Sequence, residues 1–526
     1  MRSWDAQRVA AAAGAQLLPA TLTPPATPAT SATATPSTSA TPSTSAAPST
    51  SATATPPAAH PTTSAAPATM PAGPGPTRVT IDSRAVQPGD LFVGLPGAHV
   101  DGGAYAAQAL ADGAWGVLVA PAHAERVARA APEAPLSGSS VALAATGKRV
   151  ASQPAASQRG VVLAHSDPLA ALQSLARAWR RELGAHGAKV VAITGSTGKT
   201  STKDILAALL AQELRTASSP RNLNTEIGLP LAVLAAPPDT QALVLELAMR
   251  GAGQIAELVD IAEPDVGVIV NIGPVHLELL GSLEAIAAAK AELIAGMQPG
   301  ATVIIPADEP LLDAHRRADL HTITFGSGGD VVLGERRQHG EIMIQAGPRS
   351  ITLKPSFAQP HNLLNLLAAV AAARVLGVTP AGELHVEFSA LRGERVQLQH
   401  GITLINDCYN ANPMSMRAAI DDLAASAPGR RVAVLGDMLE LGPEQQRFHR
   451  DVAQHAGARG VELLLTVGPL AAEMRSAFAG ESHAAPDAST AAALLPTLLR
   501  DGDTVLVKGS RGVGLELIAQ TLQGAS

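Results

Sequence analysis

Two kinds of residue are scarce enough in this sequence to exclude a class of site. The 526 residues include a single cysteine, which excludes a disulfide framework and a cysteine-based zinc site and fits a reducing compartment. Basic residues are outnumbered, with 38 Lys and Arg against 45 Asp and Glu, so the net charge of −7 provides no basic field for nucleic acid. Aromatic residues make up only 2% of the chain against 46% hydrophobic residues, so we expect Ala, Leu, Val and Ile to fill the cores.

Charge of either sign is missing from a long stretch near the start of the chain. From Val9 to Thr77 there is no Asp, Glu, Lys or Arg, and the unit TPSTSA occurs twice in tandem, at 35–40 and 41–46. Such a stretch of Ala, Thr, Pro and Ser has too little apolar bulk to offset its ordering entropy, so we expect disorder here and in a similar stretch at about 131–160. Polar residues interrupt every apolar run, so we expect no integral membrane segment, and the lack of a targeting segment favours the cytoplasm.

The rest of the chain shows an α/β pattern in three parts. From Lys189, apolar strands such as KVVAITG alternate with helices such as KTSTKDILAALLAQEL, and this βαβ rhythm favours a mainly parallel sheet. From about Leu391, the strands ITLIND, RRVAVLGD, VELLLTVG and DTVLVKGS again alternate with helices, which indicates a Rossmann-like α/β domain. We therefore predict a small N-terminal α/β domain over 1–183, a central P-loop-type domain over 184–388 and a C-terminal domain over 389–526.

The strongest chemical signal is a strand, VVAIT, that runs directly into the loop GSTGKT and then a helix. Glycines let backbone N–H groups approach phosphate oxygens, and the following helix points its positive end at them. Lys199 would neutralise phosphate charge, and the Thr200 hydroxyl would ligate Mg²⁺. The spacing is GxxGKT rather than GxxxxGK[ST], with Ile193 in place of the first glycine, so a plain structural turn is the alternative. The candidate nucleotide-binding residues are Gly195, Ser196, Thr197, Gly198, Lys199 and Thr200.

Two further strands end in groups that are able to bind a metal. Glu246 ends the strand VLELA, and His276 follows the strand VGVIV in NIGPVHLE. Open α/β sheets bind ligands at the carboxyl ends of their strands. Mg²⁺ prefers oxygen ligands and shares them with substrate phosphates, so Glu246 is a candidate ligand. A histidine after a Gly-Pro turn is more often structural, but beside a phosphate loop and an acid we favour a functional role for His276.

Eight motifs occur in the order seen in the Mur ligase family, which this sequence resembles. They are GSTGKT, NLNTEIGLPL, ELAMRGAGQIAEL, NIGPVHLELLGSLEAIAAAKAEL, HNLLN, NDCYNANPMSM, LGDMLELG and LVKGSR. The resemblance covers about 78–130 and 161–526, and the start SWDAQRVAAAAGAQLL is similar to the family's first helix, so 21–76 is expected to be an insertion. DCYNANPMSM is similar to the members that add D-alanyl-D-alanine, and the DNPR motif of the diaminopimelate-adding relative is absent.

The resemblance implies an ATP- and Mg²⁺-dependent amide ligase of peptidoglycan precursor synthesis. In this family ATP phosphorylates the terminal carboxylate of UDP-N-acetylmuramoyl-tripeptide, and the amine of D-alanyl-D-alanine attacks the acyl phosphate through a tetrahedral intermediate. An acid needs this activation before an amine can displace its oxygen, and the phosphoryl charge needs a lysine and Mg²⁺. The family is cytoplasmic, and we expect a monomer.

Five residues match the family's catalytic and metal-binding positions. Lys199 and Thr200 match its phosphate loop, and Glu246 and His276 match its two magnesium ligands beyond that loop. Lys290 matches a lysine that the family carbamylates, which turns a cation into a carboxylate-like group able to help hold a second Mg²⁺. Without the resemblance, Lys290 in AAAKAEL would be interpreted as an ordinary solvated helix lysine.

The resemblance also assigns a nucleotide side to the site. HNLLN matches the family's adenine-side motif, and its Asn362 and Asn365 are three apart and hence on one helix face. A cap contact at the start of this helix is an equally good interpretation of His361. Asp407 and Tyr409 match the segment that closes over the ATP ribose and the reacting centre.

The remaining matches concern the γ-phosphate and the substrates. The family arginine that reaches the γ-phosphate corresponds to Arg392 in LRGER, where Leu391 replaces the usual glycine and Arg395 is the alternative. The substrate-side matches lie in the motifs DSR, NLNTEIG, YNANP and KGSR, and the residues are Ser83, Arg84, Asn222, Asn224, Thr225, Asn410, Asn412, Lys508, Ser510 and Arg511.

Two other functions compete with this interpretation. A ligase similar to folylpolyglutamate synthase would share the phosphate loop, the histidine and the lysine, but that family lacks YNANP. A non-catalytic ATP-binding scaffold is a function of a different class. A protein that had lost catalysis would be expected to have lost at least one catalytic residue by mutation, and here all of them are present.

Overall fold

The computed structural model of the chain describes residues 1, 3–18, 75–129, 160–220 and 222–524. The two low-complexity stretches predicted at 21–76 and about 131–160 lie outside the described residues, apart from their last one or two positions. Within the described ranges the strands form three sheets that carry helices, which confirms the predicted three-part α/β fold.

The first sheet has five strands in the order β1-β5-β4-β3-β2. Strands β2 to β5 are parallel, and β1 runs antiparallel to β5. The segment before the first low-complexity stretch therefore joins the same sheet as the segment after it, as expected of an insertion. Its strands are β1 (Gln16–Leu18), β2 (Arg78–Thr80), β3 (Asp90–Val93), β4 (Gly116–Val119) and β5 (Val161–Ala164), and its helices are α1 (Ala6–Ala13), α2 (Ala106–Ala111), α3 (Pro121–Arg129) and α4 (Pro168–Ala185).

The second sheet has ten strands in the order β15-β14-β13-β12-β11-β10-β9-β6-β8-β7. The strands from β7 to β12 are parallel, whereas β12, β13 and β14 pair antiparallel. The strands are β6 (Lys189–Thr194), β7 (Thr216–Ser218), β8 (Ala242–Glu246), β9 (Val266–Ile269), β10 (Thr302–Pro306), β11 (His321–Phe325), β12 (Val331–Arg336), β13 (Ile342–Ala346), β14 (Arg349–Pro355) and β15 (Gly382–Leu384). The helices are α5 (Lys199–Leu210), α6 (Gly228–Ala235), α7 (Gln254–Ala262), α8 (Leu277–Leu280), α9 (Leu283–Gly296) and α10 (Pro360–Val375).

The third sheet has six strands in the order β16-β17-β21-β18-β19-β20, with only β16 antiparallel to its neighbour. Its strands are β16 (Glu394–Gln397), β17 (Thr403–Asn406), β18 (Arg431–Gly436), β19 (Leu463–Val467), β20 (Glu481–Ala485) and β21 (Thr504–Lys508). Its helices are α11 (Pro413–Ser426), α12 (Gln445–Ala458), α13 (Ala488–Leu498) and α14 (Glu516–Gly524).

The register of the second sheet explains where its polar residues meet. Strand β6 lies between β8 and β9, and Ile193 pairs with both Glu246 and Val268. The three strands are parallel, so their carboxyl ends reach the same edge of the sheet. The loops after β6, β8 and β9 are therefore brought together at one place.

Polar residues at the helix starts fix where several of these elements begin. The Asp167 carboxylate accepts hydrogen bonds from the backbone N–H groups of Leu169 and Ala170 at the start of α4. Asn412 and Ser415 form a reciprocal capping box at the start of α11. Such caps satisfy N–H groups that have no partner inside the helix. None of the described helices combines the length and the apolar character needed to cross a bilayer.

Two of the three tryptophans, Trp4 just before α1 and Trp179 on α4, join these two helices. The rings of Trp4 and Trp179 meet edge to face with 5.5 Å between centroids, and both side chains are 2% exposed. The Trp179 indole N–H donates a hydrogen bond of 3.1 Å to the Ala236 carbonyl, which links α4 to the end of α6. This pair therefore holds the first helix against the body of the protein.

Replacing Trp179 by Ala is expected to destabilise this part of the protein by about 3–5 kcal/mol, since it leaves a large cavity and an unpaired carbonyl. Urea unfolding followed by the fluorescence of Trp4 and Trp115 measures the effect, because all three tryptophans of the chain precede residue 184. The control Val100→Ala, at a side chain 55% exposed, is expected to change stability by less than about 0.5 kcal/mol. Equal midpoints for the two variants would contradict the role given to Trp179.

Candidate functional site

The loop after β6 has the backbone of a phosphate-binding loop. Gly198 stands immediately before α5 with φ 75°, and a Cβ atom built on it would lie 2.6 Å from Asn365 Oδ1, so only glycine fits there. The Lys199 ammonium donates a hydrogen bond of 2.8 Å to the Gly195 carbonyl, which folds the side chain back over the loop. The N–H groups at the start of α5 thus face the same space as a lysine, an arrangement that suits an anion.

Residues that follow β9 support this loop. The Asn271 side chain accepts a hydrogen bond of 2.9 Å from the Thr197 N–H and donates one of 3.0 Å to Thr197 Oγ1. The Ser196 hydroxyl exchanges hydrogen bonds with both backbone groups of Gly273. The loop is therefore held in shape by protein groups before any ligand arrives, which reduces the ordering cost of binding.

The carboxylate of Glu246, at the end of β8, binds side chains from α5 and from the loop before α6. It accepts a hydrogen bond of 2.7 Å from Thr200 Oγ1 and one of 2.9 Å from Asn224 Nδ2, and it is 2% exposed. The Glu246 N–H is in turn bound to Ser219 Oγ at 3.2 Å. The structure thus brings together the hydroxyl and the carboxylate that were predicted to bind Mg²⁺.

His276 sits at a strained turn on the other side of the loop. Its φ is 55°, and it is the residue immediately before α8. Its Nδ1 forms a short hydrogen bond with the carboxylate of Glu440, which belongs to the third sheet's domain. Burial lowers the pKa of His276; Glu440 opposes this shift, while the charges of Lys199 and Lys290 add to it. A neutral imidazole keeps a lone pair for a metal ion.

Lys290 on α9 is 2% exposed, contrary to the ordinary solvated lysine that its local sequence suggests. Burial lowers its pKa well below the usual value, and the nearby charge of Lys199 lowers it further. Its amine makes no hydrogen bond or ion pair with any residue that the structure describes. Burial thus favours the neutral form of the amine, which is the form able to act as a nucleophile.

The donor set fits Mg²⁺ in its chemistry. It contains a hydroxyl and a carboxylate in direct contact, a neutral imidazole, and an amine that would become an oxygen ligand on carbamylation. Within the described ranges no three His, Cys, Asp or Glu side chains form a ready-made metal cluster. This is consistent with Mg²⁺, which usually completes its coordination with water and substrate phosphates.

The start of α10 lies against the phosphate loop. Asn362 and Asn365 are 8% and 4% exposed, and the Asn365 amide donates a hydrogen bond of 3.3 Å to Asn362 Oδ1. Asn365 is also the residue that approaches Gly198. His361 is not the cap of this helix, since Gln359 occupies the cap position, and burial lowers the pKa of the His361 imidazole. The predicted adenine-side residues are therefore next to the loop.

The domain of the third sheet contributes a second set of residues. The Lys508 ammonium forms an ion pair of 2.7 Å with Asp407 and donates to the Asn410 carbonyl at 3.0 Å. The guanidinium of Arg392 stacks on the Tyr409 ring at 4.2 Å, and that of Arg511 lies 5.9 Å from the same ring. The YNANP segment is therefore fixed by two arginines and a buried lysine.

The structure separates the two candidate arginines. Arg395 forms an ion pair of 2.7 Å with Asp422 and a hydrogen bond of 2.9 Å with Ser426, so its charge is already balanced within its own domain. Arg392 has no carboxylate partner among the described residues. Burial lowers the pKa of Lys199, Glu246 opposes this shift, and the charge of Arg392 adds to it. Arg392 therefore faces the phosphate loop with an unneutralised guanidinium.

A cleft of about 1190 Å³ lies between the second and third sheets' domains. Most of the predicted site residues line it, namely Ser196, Thr197, Gly198, Lys199, Thr200, Asn222, Asn224, Thr225, Glu246, His276, Asn362, Asn365, Arg392, Asp407, Tyr409, Asn410, Asn412 and Lys508. Both domains contribute to its walls, so a ligand in the cleft would touch residues of both.

Six predicted residues are not part of the cleft lining. Gly195 is buried directly after β6, and Lys290 is buried on α9. The other four were predicted to contact the substrates. Ser83 and Arg84 lie in a turn capped by Asp82, where the Arg84 side chain is 88% exposed and pairs with Asp82 at 2.9 Å. Ser510 is 4% exposed, and its hydroxyl accepts a hydrogen bond of 3.0 Å from the Leu439 N–H. Arg511 is exposed beside the Tyr409 ring. The substrate roles of these four residues stay predictions.

Sequence reasoning missed three acidic residues of the site. Asp308 and Glu309 line the cleft just after β10, and burial raises the pKa of Glu309, an effect that the neighbouring Asp308 reinforces. Their position after a strand of the central sheet is the same signal that identified Glu246, and it was available in ADEP. Glu440 had no such signal, because its contact with His276 joins residues 164 positions apart.

Comparison with known proteins agrees with this arrangement. Three family models match, described as "Mur ligase family, catalytic domain" over 77–180, "Mur ligase middle domain" over 193–373 and "Mur ligase, glutamate ligase domain" over 391–511. The chain is 33% identical over 458 residues to the UDP-N-acetylmuramoyl-tripeptide–D-alanyl-D-alanine ligase of Bacillus subtilis, covering 84% of this chain and 92% of the relative.

Two solved structures have the same fold. MurF from Acinetobacter baumannii matches with a TM-score of 0.70 and 28% identity, over 85% of this chain and 93% of that one. MurF from Thermotoga maritima, solved in complex with ADP, matches with a TM-score of 0.68 and 28% identity, over 85% of this chain and 97% of that one. The chain therefore belongs to the UDP-N-acetylmuramoyl-tripeptide–D-alanyl-D-alanine ligases of the Mur ligase family.

Proposed function

We propose that this protein is an ATP-dependent amide ligase that joins D-alanyl-D-alanine to UDP-N-acetylmuramoyl-tripeptide in peptidoglycan precursor synthesis. The observation that carries the proposal is a single cleft in which the phosphate loop and Glu246 of one domain face the YNANP segment and Arg392 of another. An activated acid and an attacking amine must meet in one place, and a cleft shared between two domains provides it.

The reaction transfers the γ-phosphoryl group of ATP to the tripeptide's terminal carboxylate. The amine of D-alanyl-D-alanine then attacks the carbonyl carbon of the acyl phosphate, a C–N bond forms, and the C–O bond to phosphate breaks as the amine loses a proton. We assign to Lys199 and Arg392 the stabilisation of charge on the transferred group, since both side chains line the cleft and the charge of Arg392 acts on Lys199. Mg²⁺, when bound, neutralises phosphate charge, and Thr200, Glu246, His276 and Lys290 as a carbamate would hold it.

Lys290 is suited to carbamylation because its amine is neutral at a lower pH than that of an ordinary lysine. The neutral amine attacks CO₂, an N–C bond forms as one C=O π bond opens to leave a negative charge on oxygen, and one N–H proton leaves, so a neutral amine becomes a carbamate anion. The product would put a negative charge beside Lys199, whose charge is among the causes of the lowered Lys290 pKa. Carbamylation would therefore relieve the repulsion that the unmodified lysine experiences.

We assign the other substrate contacts by domain. Residues 1–183 are proposed to bind the UDP part through Ser83 and Arg84, residues 184–388 to bind ATP, and residues 389–526 to complete the ligation site. The muramoyl-tripeptide side is assigned to Asn222, Asn224 and Thr225, and the dipeptide side to Asn410, Asn412, Lys508, Ser510 and Arg511. A monomer in the cytoplasm is the form that we expect to act.

The proposed activity is tested by phosphate release from ATP with Mg²⁺, UDP-N-acetylmuramoyl-tripeptide and D-alanyl-D-alanine, supplied singly and together. We expect release that needs all of them, together with an amide product detectable by mass spectrometry. Lys199→Ala is expected to lower kcat by about 100-fold or more, since it removes a charge aimed at the phosphoryl group. Release that requires a folate and glutamate would favour the folylpolyglutamate synthase-like alternative, and nucleotide binding without release would favour a scaffold.

Lys290 is expected to carry a carbamate at neutral pH. Protein incubated with ¹³C-bicarbonate should show a carbamate signal in its ¹³C NMR spectrum, and Lys290→Arg should lack it, because a guanidinium stays protonated. Depletion of CO₂ should lower the activity of the unmodified chain and have no further effect on the variant. The control Lys189→Arg, at a side chain 59% exposed and paired with Asp265, should keep the signal. A signal that survives in Lys290→Arg would contradict the assignment.

Arg392 is expected to be the arginine that serves the γ-phosphate. Arg392→Ala should lower kcat by about 100-fold, since it removes an unneutralised charge from the cleft. Arg395→Ala removes a guanidinium that is already paired with Asp422, so we expect a kcat within about threefold of the wild type and a stability loss of about 1 kcal/mol or less. Steady-state kinetics of both variants decide between them, and the reverse order of effects would assign the role to Arg395.

A further inference from the structure

The loop that carries Glu440 is held rigidly within its own domain. It follows β18, and three successive backbone N–H groups are satisfied there, by the Val467 carbonyl for Asp437, by His449 Nε2 for Met438 and by Ser510 Oγ for Leu439. Burial lowers the pKa of His449, whose Nδ1 is bonded to the Gln445 carbonyl, so the ring is kept as a neutral acceptor. The loop 437–442, called the arm below, is therefore held in one conformation and extends toward the central domain.

This arm contacts the turn that contains His276. The Glu440 carboxylate is bonded to His276 Nδ1, and the Glu440 carbonyl accepts a hydrogen bond of 3.3 Å from the Glu278 N–H. At Gly442, with φ 67°, a built Cβ atom would lie 3.4 Å from Glu278 Cα, so the two backbones are close. The contact is thus one between two backbone segments, with one side-chain bond at its centre.

Both partners of that side-chain bond have left-handed backbone conformations. The φ angle is 55° at His276 and 62° at Glu440, and neither residue is a glycine. Such conformations are costly and persist where the surroundings require them, often at functional sites. The side chains of His276 and Glu440 are 23% and 38% exposed. An ion pair that is exposed to solvent in this way adds little to the stability of the protein. The strain is therefore not explained by a gain in stability from the ion pair.

The bond between Glu440 and His276 Nδ1 has the form found around metal-binding histidines. A histidine that binds a metal usually donates its other ring N–H to a carboxylate, which fixes the ring's tautomer and direction. Glu440 occupies that position on His276 Nδ1 and leaves Nε2 free. We propose that Glu440 is a positioning residue that orients the His276 imidazole across the domain interface, so that His276 is in place only when the third sheet's domain is docked. The inference rests on the proposed function and names a further residue of its site.

The test compares Glu440→Ala with the control Glu444→Ala. Glu444 carries the same charge four residues further on, and it pairs at 2.6 Å with Arg447 of its own domain. Mn²⁺ binding to the ADP complex, followed by electron paramagnetic resonance, gives a readout that does not depend on turnover. We expect Glu440→Ala to weaken Mn²⁺ binding and to lower kcat by about 10- to 100-fold, with KM for the UDP substrate changed by less than about threefold. The control should match the wild type.

Two further variants make the result decisive. Glu440→Gln keeps an oxygen that accepts from the ring N–H, so it should recover most of the lost Mn²⁺ affinity. In a His276→Ala background, Glu440→Ala should cause no additional loss, since Glu440 acts through the ring. Should Glu440→Ala not fold, as judged by circular dichroism, Glu440→Asp replaces it, because its shorter arm cannot reach the ring and should give the same loss.

Contrary outcomes are equally clear. Wild-type Mn²⁺ affinity and kcat in Glu440→Ala, or a full additional loss in the His276→Ala background, would overturn the inference. Failure of the wild type to ligate D-alanyl-D-alanine would sink the proposed function instead, and Mn²⁺ binding to the ADP complex would still report on Glu440.

Discussion

The site depends most on two lysine amines that are held close together, Lys199 half-buried at the cleft and Lys290 fully buried on α9. A buried ammonium either finds an anion or loses its proton. Lys199 folds back on a backbone carbonyl and has Glu246 nearby, but that carboxylate is already shared between Thr200 and Asn224. Lys290 finds no partner among the described residues, and its pKa falls. Neither lysine therefore has a carboxylate of its own, and a polyphosphate and a carbamate would supply negative charge beside them.

A third positive charge near these lysines comes from the other domain. Arg392 adds a further positive charge from the linker that leads into the third sheet's domain, and that linker is tied to the phosphate-loop helix. The Ser389 N–H and hydroxyl both bond to Asp204 on α5, which pairs with the buried Lys203. Arg392 lies three residues beyond this anchor, so its distance from the loop is set by α5 itself. The linker into the third sheet's domain is therefore fixed to α5, the helix that follows the phosphate loop.

Much of this arrangement was predictable from the sequence because it follows from periodicity and strand ends. Alternating apolar strands and helices predicted the three sheets, and the residues after β6, β8 and β9 had to meet at one edge. The burial of Lys290 was not predictable from AAAKAEL, since a lysine among alanines fits a solvated helix face equally well. The ion pair of Arg395 also needed the structure, because its partner Asp422 is distant in the chain.

Glu440 escaped sequence reasoning because its role depends on a contact between domains. Local sequence rules describe what a residue does within its own helix, strand or turn. They fail at Glu440, because the sequence Leu-Glu-Leu has no glycine that would predict a positive φ. Leu391 is a second such position, with φ 64°, and its carbonyl accepts a hydrogen bond from the Tyr409 N–H. At Leu391 and Glu440, strained backbone without a glycine therefore lies in the two segments of the third sheet's domain that approach the central domain. Local preference was overruled at the positions where the two halves of the site have to fit together.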